Sequence, residues 1–203
     1  MTLTNSSRDA HNLGSRPRRA IAGIVVSTLT VLGLRTPDSG EAWAVEPENT
    51  LLMDLKDGQV VIEMRPDLAP GHVARIKELV RRGYYDGLTF HRVLPGFMAQ
   101  TGDPNGDGTG GTGVKLDAEF SSEPHVRGTL SMAREPHPDS ADSQFFIVFS
   151  RTRHLDGQYT VWGRVIDGME HVGKIKRGDE ERDGAVDDPD SIIRLRVAAD
   201  VRN

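Results

Sequence analysis

Ile193, Leu195 and Val197 alternate with Arg194 and Arg196, the period-2 pattern of a half-buried strand. Earlier in the chain the period lengthens. Val73, Ile76, Leu79 and Val80 fall on one helical face while Arg75, Lys77 and Arg81 lie elsewhere. Pro70 suits the first turn of that helix and Gly83 its end. Thr50–Leu55 and Val60–Met64 are short β-prone segments joined by Asp57-Gly58, a strong hairpin signal. Thr89–Val93, Phe97–Thr101, Thr129–Ala133, Gln144–Phe149 and Tyr159–Val165 read as further strands, separated by connections rich in Pro and Gly. Met169, Val172 and Ile175 recur at helical spacing and predict a second short helix. The pattern thus holds about eight short strands and two helices, which favours a sandwich or a barrel. Strands and helices do not alternate as βαβ units, so a doubly wound parallel fold is disfavoured.

None of these elements falls in residues 1–44. That segment runs from the basic cluster Arg16, Arg18 and Arg19 through an uncharged stretch, Ala20–Leu34, to Ala42-Trp43-Ala44. The order of basic, apolar and small-x-small is that of a secretory signal peptide. The apolar stretch is shorter than the roughly 20 residues of a membrane-spanning helix, which makes a retained anchor the second choice. The division expected is a leader over 1–44 and a single domain over 45–203, destined for export to a periplasm or beyond.

Composition then narrows the function. The 203 residues carry a formal charge of -5. Removing Arg8, Arg16, Arg18, Arg19 and Arg35 with only Asp9, Asp38 and Glu41 makes the remainder more acidic still, against nucleic-acid binding, which wants a basic surface. There is no cysteine, which excludes disulfide frameworks, thiol nucleophiles and zinc fingers. The seven histidines form neither H-x-x-x-H nor H-E-x-x-H, and there is no G-x-S-x-G elbow. Gly108-Thr109-Gly110-Gly111-Thr112-Gly113 matches G-x-G-x-x-G, but no amphipathic helix follows to receive a pyrophosphate. Asp103–Gly108 imitates the start of a calcium loop, yet its twelfth position is Val114 instead of a bidentate Glu. A surface loop is expected there, and an acidic surface loop over Asp179–Asp190. Neither metal nor cofactor is expected.

Three segments carry the chemistry. They are Phe90–Asp103 (FHRVLPGFMAQTGD), Gly128–Arg134 (GTLSMAR) and Ser143–Val148 (SQFFIV). Singly, Arg92 reads as a solvated charge and Phe97 and Met98 as core. Alternation places Arg92 and Gln100 on one sheet surface. Together with Leu155-Asp156-Gly157 and Val161–Val165, these segments resemble the cyclophilin family of peptidyl-prolyl cis–trans isomerases, over nearly all of the chain beyond the leader. The resemblance implies a mainly β fold, a closed eight-stranded antiparallel barrel capped by two α-helices. It implies that Arg92 is the catalytic arginine and that Phe97, Met98, Phe146 and Leu155 form a proline pocket. Gln100 and the main chain of Arg134 would contact the substrate backbone, with Ala133 and Gln144 lining a neighbouring subsite. His91, His154 and Tyr159 complete the implied binding set.

Three positions depart from the common family pattern. His154 stands where many members carry the Trp that matters for cyclosporin, implying reduced affinity for that drug. Tyr159 stands where many carry His, which resembles the bacterial branch. Arg134 replaces the usual Asn, whose role is played by its backbone. The partners implied are proline-containing peptides and folding proteins, met by a monomer. The alternative is a non-catalytic peptide-binding chaperone module using the same groove.

The implied reaction fits the absence of a triad or cofactor. Rotation about a peptide bond transfers no proton and faces a barrier of about 18–20 kcal/mol. Uncatalysed X-Pro exchange takes tens to hundreds of seconds, so hundreds of turnovers per second require lowering the barrier by only about 5–6 kcal/mol.

Overall fold

The computed structural model describes residues 46–201. The expected leader and its boundary at residue 44 lie outside them. Eight antiparallel strands form one sheet: β1 (Thr50–Leu55), β2 (Gly58–Met64), β3 (Arg92–Leu94), β4 (Met98–Thr101), β5 (Thr129–Met132), β6 (Phe145–Val148), β7 (Val161–Asp167) and β8 (Arg194–Val197). Their order is β3-β4-β6-β5-β7-β2-β1-β8. Two helices accompany the sheet, α1 (Pro70–Arg81) and the single turn α2 (Met169–Val172).

The expected closed barrel is a curled sheet whose ladder stays open between β3 and β8. Irregular backbone spans that seam. Phe90 N donates to Asp190 O (2.8 Å), Gly87 N to Ile192 O (2.7 Å) and Val93 N to Gly184 O (2.8 Å). The segment 178–192 thus lies against the strand that carries Arg92, as the bridge between Arg92 and Ala185 also shows.

The pleat divides the interior in two. Phe145 and Ile147 of β6 point into the main core with Leu130, Met132 and Trp162. Phe146 and Val148, one residue out of phase, join Met98 and Leu155 in a smaller cluster. Edge-to-face contacts, Tyr85 to Phe145 at 5.5 Å and Phe145 to Trp162 at 5.3 Å between centroids, tie the aromatic side chains of the main core together. α1 buries Val73, Ile76, Leu79 and Val80 against this core. Its N-terminus lacks a local side-chain cap. Glu119 supplies one from outside, accepting from Gly71 N and His72 N at 2.9 Å each and placing negative charge at the positive end of the helix.

Two local expectations are corrected. Gly58 pairs with Leu55, so the turn residues of the first hairpin are Lys56 and Asp57. The glycine answers a close approach instead: a Cβ on Gly58 would stand 2.4 Å from the His171 imidazole. Ile193 is exposed, and Ile192 enters the core with Leu195 and Val197. The alternation therefore starts at Leu195, because Ile193 N bonds Asp54 O just before the β1–β8 ladder begins.

Candidate active site

Strand register builds one face of the site. Arg92 lies opposite Gln100 and Leu94 opposite Met98 across β3 and β4. Met98 lies opposite Val148 and Gln100 opposite Phe146 across β4 and β6. Side chains two apart on a strand share a face, so Arg92, Met98, Gln100 and Phe146 meet on the same surface. A cavity of about 120 Å³ opens there, lined by Arg92, Phe97, Met98, Gln100, Ala133, Arg134, Phe146, Leu155 and Tyr159. Phe146 and Tyr159 meet edge to face at 5.9 Å. The floor is apolar and one rim is cationic.

Three of the expected site residues stand outside this cavity. Gln144 lines an adjoining cleft of about 330 Å³ with Gly108, Gly110, Lys115, Glu135 and Asp142; Gln100, Ala133 and Arg134 form the ridge between the two. His154 flanks the cavity, its ring 5.7 Å from that of Phe97. His91 is buried behind Arg92, and neither ring nitrogen has a hydrogen-bond partner. Burial pushes its pKa below the ordinary value, and it is not among the residues lining the cavity.

The polar rim is an ordered relay. Gln144 Nε2 donates to Gly108 O (2.9 Å) and Gly110 O (2.8 Å). Gln100 Nε2 donates to Gln144 Oε1 at 2.9 Å, and Arg92 Nη1 donates to Gln100 Oε1 at 3.2 Å. Carbonyls at one end only accept and a guanidinium at the other only donates, so both amides have a single allowed orientation. Gln100 keeps one N–H free toward the cavity. The other edge of Arg92 meets Asp183: Nε lies 3.0 Å from Asp183 O and 3.1 Å from Oδ2, and Nη2 lies 2.9 Å from Oδ1. The guanidinium holds the Asp183 carboxyl below its usual pKa.

The Gly-rich loop that supplies the two carbonyls is anchored from within. The buried Asp103 carboxylate accepts from the amides of Asn105 (2.8 Å), Asp107 (3.0 Å) and Gly108. Asp142 accepts from Thr112 N (2.9 Å) and Gly113 N (2.8 Å). The expected surface loop is exposed at its tip, but its carboxylates are engaged by its own backbone.

Arg134 does more than lend its main chain. Its guanidinium donates to the carbonyls of Gln158, Glu135 and Pro136 and lies 4.7 Å over the Tyr159 ring, a cation–π contact that props the cavity wall. Behind Phe146, the fully buried His125 ring stacks at 6.3 Å and 22°. His125 Nδ1 is 3.2 Å from Asp156 Oδ1 and Nε2 is 3.0 Å from Ser131 Oγ. Ser131 Oγ also donates to Thr160 O at 2.9 Å. Both ring nitrogens of the buried His125 thus lie within hydrogen-bond reach of a polar partner.

Neither Asp183 nor His125 was expected to take part. Asp183-Gly184 is a turn signal inside a run read as solvated charge, and a single His after Pro124 gives no periodic cue.

Comparisons with known proteins agree with this geometry. Residues 50–197 match the family model described as cyclophilin type peptidyl-prolyl cis-trans isomerase/CLD. The chain is 51% identical over 197 residues to a probable peptidyl-prolyl cis-trans isomerase of Brucella suis, covering 91% of this chain and 98% of that one. It is 46% identical over 128 residues to peptidyl-prolyl cis-trans isomerase B of Bacillus subtilis, covering 62% and 89%. Among solved structures it resembles cyclophilin AquaCyp293 from Hirschia baltica, with a TM-score of 0.70, 28% identity and 78% and 77% coverage. It also resembles a Cryptosporidium parvum cyclophilin-type isomerase crystallised in the presence of the dipeptide Ala-Pro, with a TM-score of 0.68, 29% identity and 73% and 98% coverage.

The buried His125 sets a pH dependence. Desolvation lowers its pKa below the ordinary 6.5, against an opposing pull from Asp156. The unfolded chain then binds the proton more readily than the folded one between the two pKa values. Stability is full above about pH 6.5 and falls as pH drops from there through the folded value. A histidine NMR titration should place the His125 midpoint below 6.5, with Tm declining over the same window. A midpoint above 6.5 would contradict the lowered pKa.

Proposed function

Because the chain belongs to the cyclophilin-type peptidyl-prolyl cis–trans isomerase family, we propose that Arg92 is its catalytic group and that its physiological role is to speed X-Pro rotation in exported proteins as they fold. The observation that carries the catalytic role is the free edge of the Arg92 guanidinium at the rim of an apolar, proline-sized cavity. A guanidinium has five N–H groups. Asp183 takes those on Nε and one on Nη2, and Gln100 takes one on Nη1. One N–H on each of Nη1 and Nη2 remains.

In the transition state the prolyl nitrogen loses amide resonance, becomes pyramidal and regains a lone pair. A donor held beside it gains a hydrogen bond that the planar ground state does not offer, which is selective transition-state stabilisation. Arg suits this better than Lys, because its charge is permanent and its fork is rigid. Phe97, Met98, Phe146 and Leu155 anchor the ring while the preceding carbonyl swings, and the spare Gln100 N–H receives that carbonyl. The dry pocket helps too, because a twisting amide loses polarity and is less penalised outside water. Proline-containing peptides are the ligand class, in keeping with the relative solved in the presence of Ala-Pro. His154, set against Phe97, offers a smaller face than Trp and underlies the reduced cyclosporin affinity proposed for this chain, which acts as a monomer.

Export rests on the basic, apolar and Ala-Trp-Ala order of residues 16–44, and a cysteine-free chain runs no risk of mispairing in an oxidising compartment. N-terminal sequencing of the exported protein should begin at Val45; an intact Met1 on protein held in membranes would overturn the cleaved leader.

Arg92→Ala should lower kcat/KM by roughly 10²–10³, about 2.7–4 kcal/mol, with the fold intact. A protease-coupled assay on an X-Pro peptide measures it. Full activity in folded Arg92→Ala would remove Arg92 from the chemistry and leave a groove that only binds.

A further inference from the structure

We propose that Asp183 is a positioning residue for the isomerase reaction, a carboxylate that holds the Arg92 guanidinium by one edge so that the other edge faces the proline pocket. The proposal rests on the isomerase reading above and adds the part that aims its donor.

Three observations converge on Asp183. The first is contact geometry. Both carboxylate oxygens and the main-chain oxygen of this one residue lie on the Nε/Nη2 edge of Arg92, at 2.9–3.1 Å. A bidentate fork of this kind fixes the guanidinium plane as well as its distance. The second is backbone conformation. Asp183 sits at φ 53°, ψ 35°, in the left-handed region that non-glycine residues seldom occupy. Such strain persists only where the surroundings impose it. The third is the scaffold that imposes it. Asp179 starts the 3-10 turn Glu180–Arg182 by accepting Glu181 N at 2.9 Å, and Arg182 pairs with both Asp179 and Asp187. Gly184, at φ 81°, lies where a Cβ would be 2.8 Å from the Leu94 side chain, and its carbonyl accepts Val93 N. The turn is therefore locked to β3 on both sides of Arg92.

Stability does not account for this arrangement. The Asp183 side chain is 78% exposed and that of Arg92 31%, and exposed ion pairs contribute little to folding. Orientation does account for it. An arginine side chain samples many rotamers in water, and a donor that must be ordered during the reaction slows it. With one edge on Asp183 and Nη1 on Gln100, the ordering is complete before substrate arrives, and the two N–H groups left over point away from both partners.

Asp183→Asn and Asp183→Gly test this without disturbing the turn, since Asn and Gly both accept left-handed backbone. Exchange NMR on an X-Pro peptide gives kcat and KM, and the Arg92 ¹⁵Nη–¹Hη resonances report the carboxylate clamp. Asp183→Gly should lower kcat roughly three- to tenfold with KM within about twofold, and Asp183→Asn should fall between it and wild type. In Asp183→Gly the Arg92 Nη2 protons, which meet only the carboxylate, should exchange faster with water, while Nε–H keeps the main-chain oxygen of residue 183. Unchanged or raised kcat in the folded variants, or a loss confined to KM, would each overturn the role. Wild type failing to speed the peptide exchange would count against the isomerase reading instead, and Nη–H protection unchanged in Asp183→Gly would overturn the clamp.

Discussion

The Arg92 guanidinium carries donors and no acceptors, and this asymmetry sets the direction of the Gln100 and Gln144 amides beside the pocket. With Gln100 Oε1 committed to Nη1, the Gln100 amide turns outward to Gln144, and Gln144 in turn donates to two glycine carbonyls. Neither amide can flip without placing two donors or two acceptors face to face. A rigid, directional donor is what a reaction without proton transfer requires, since the only event in the transition state worth recognising is the lone pair that appears on nitrogen.

This constraint gives the Gly-rich loop its place. From sequence it resembles a phosphate cradle or a calcium loop, and in the structure its carboxylates hold backbone amides. Its buried Asp103 and the nearby Asp142 gather amides from the loop, and the carbonyls of Gly108 and Gly110 turn toward Gln144 as a result. The carboxylates that imitate metal ligands serve instead as caps for the loop's own backbone. Arg134 and His125 complete the support from two other directions, one bracing Tyr159 from the rim and the other backing Phe146 from the interior.

Much of the site was legible because strands have a period of two. Arg92 and Gln100 could be assigned to one surface from alternation, and the register pairs them, with Met98 and Phe146 beside them. The pocket's apolar set, Phe97, Met98, Phe146 and Leu155, came from the resemblance, since Phe97 and Leu155 lie outside the strands. What escaped were contacts made by irregular backbone. The open seam between β3 and β8 is bridged by segment 178–192, whose acidic character reads as solvation. Asp183 reaches Arg92 from 91 residues away through a left-handed turn, and no periodic pattern encodes that approach. Asp57-Gly58 marked the right hairpin for the wrong reason, since the glycine makes room for His171. His91, adjacent to Arg92 in sequence, is buried and does not line the cavity.

The central claim is that an aimed guanidinium, and not positive charge alone, accelerates the rotation. Arg92→Lys separates the two, because it keeps the charge and loses the planar fork. Exchange NMR between the cis and trans signals of an X-Pro peptide, at catalytic protein concentration, measures the outcome. The account requires folded Arg92→Lys to lose at least roughly tenfold in exchange rate relative to wild type. Exchange at the wild-type rate would contradict it.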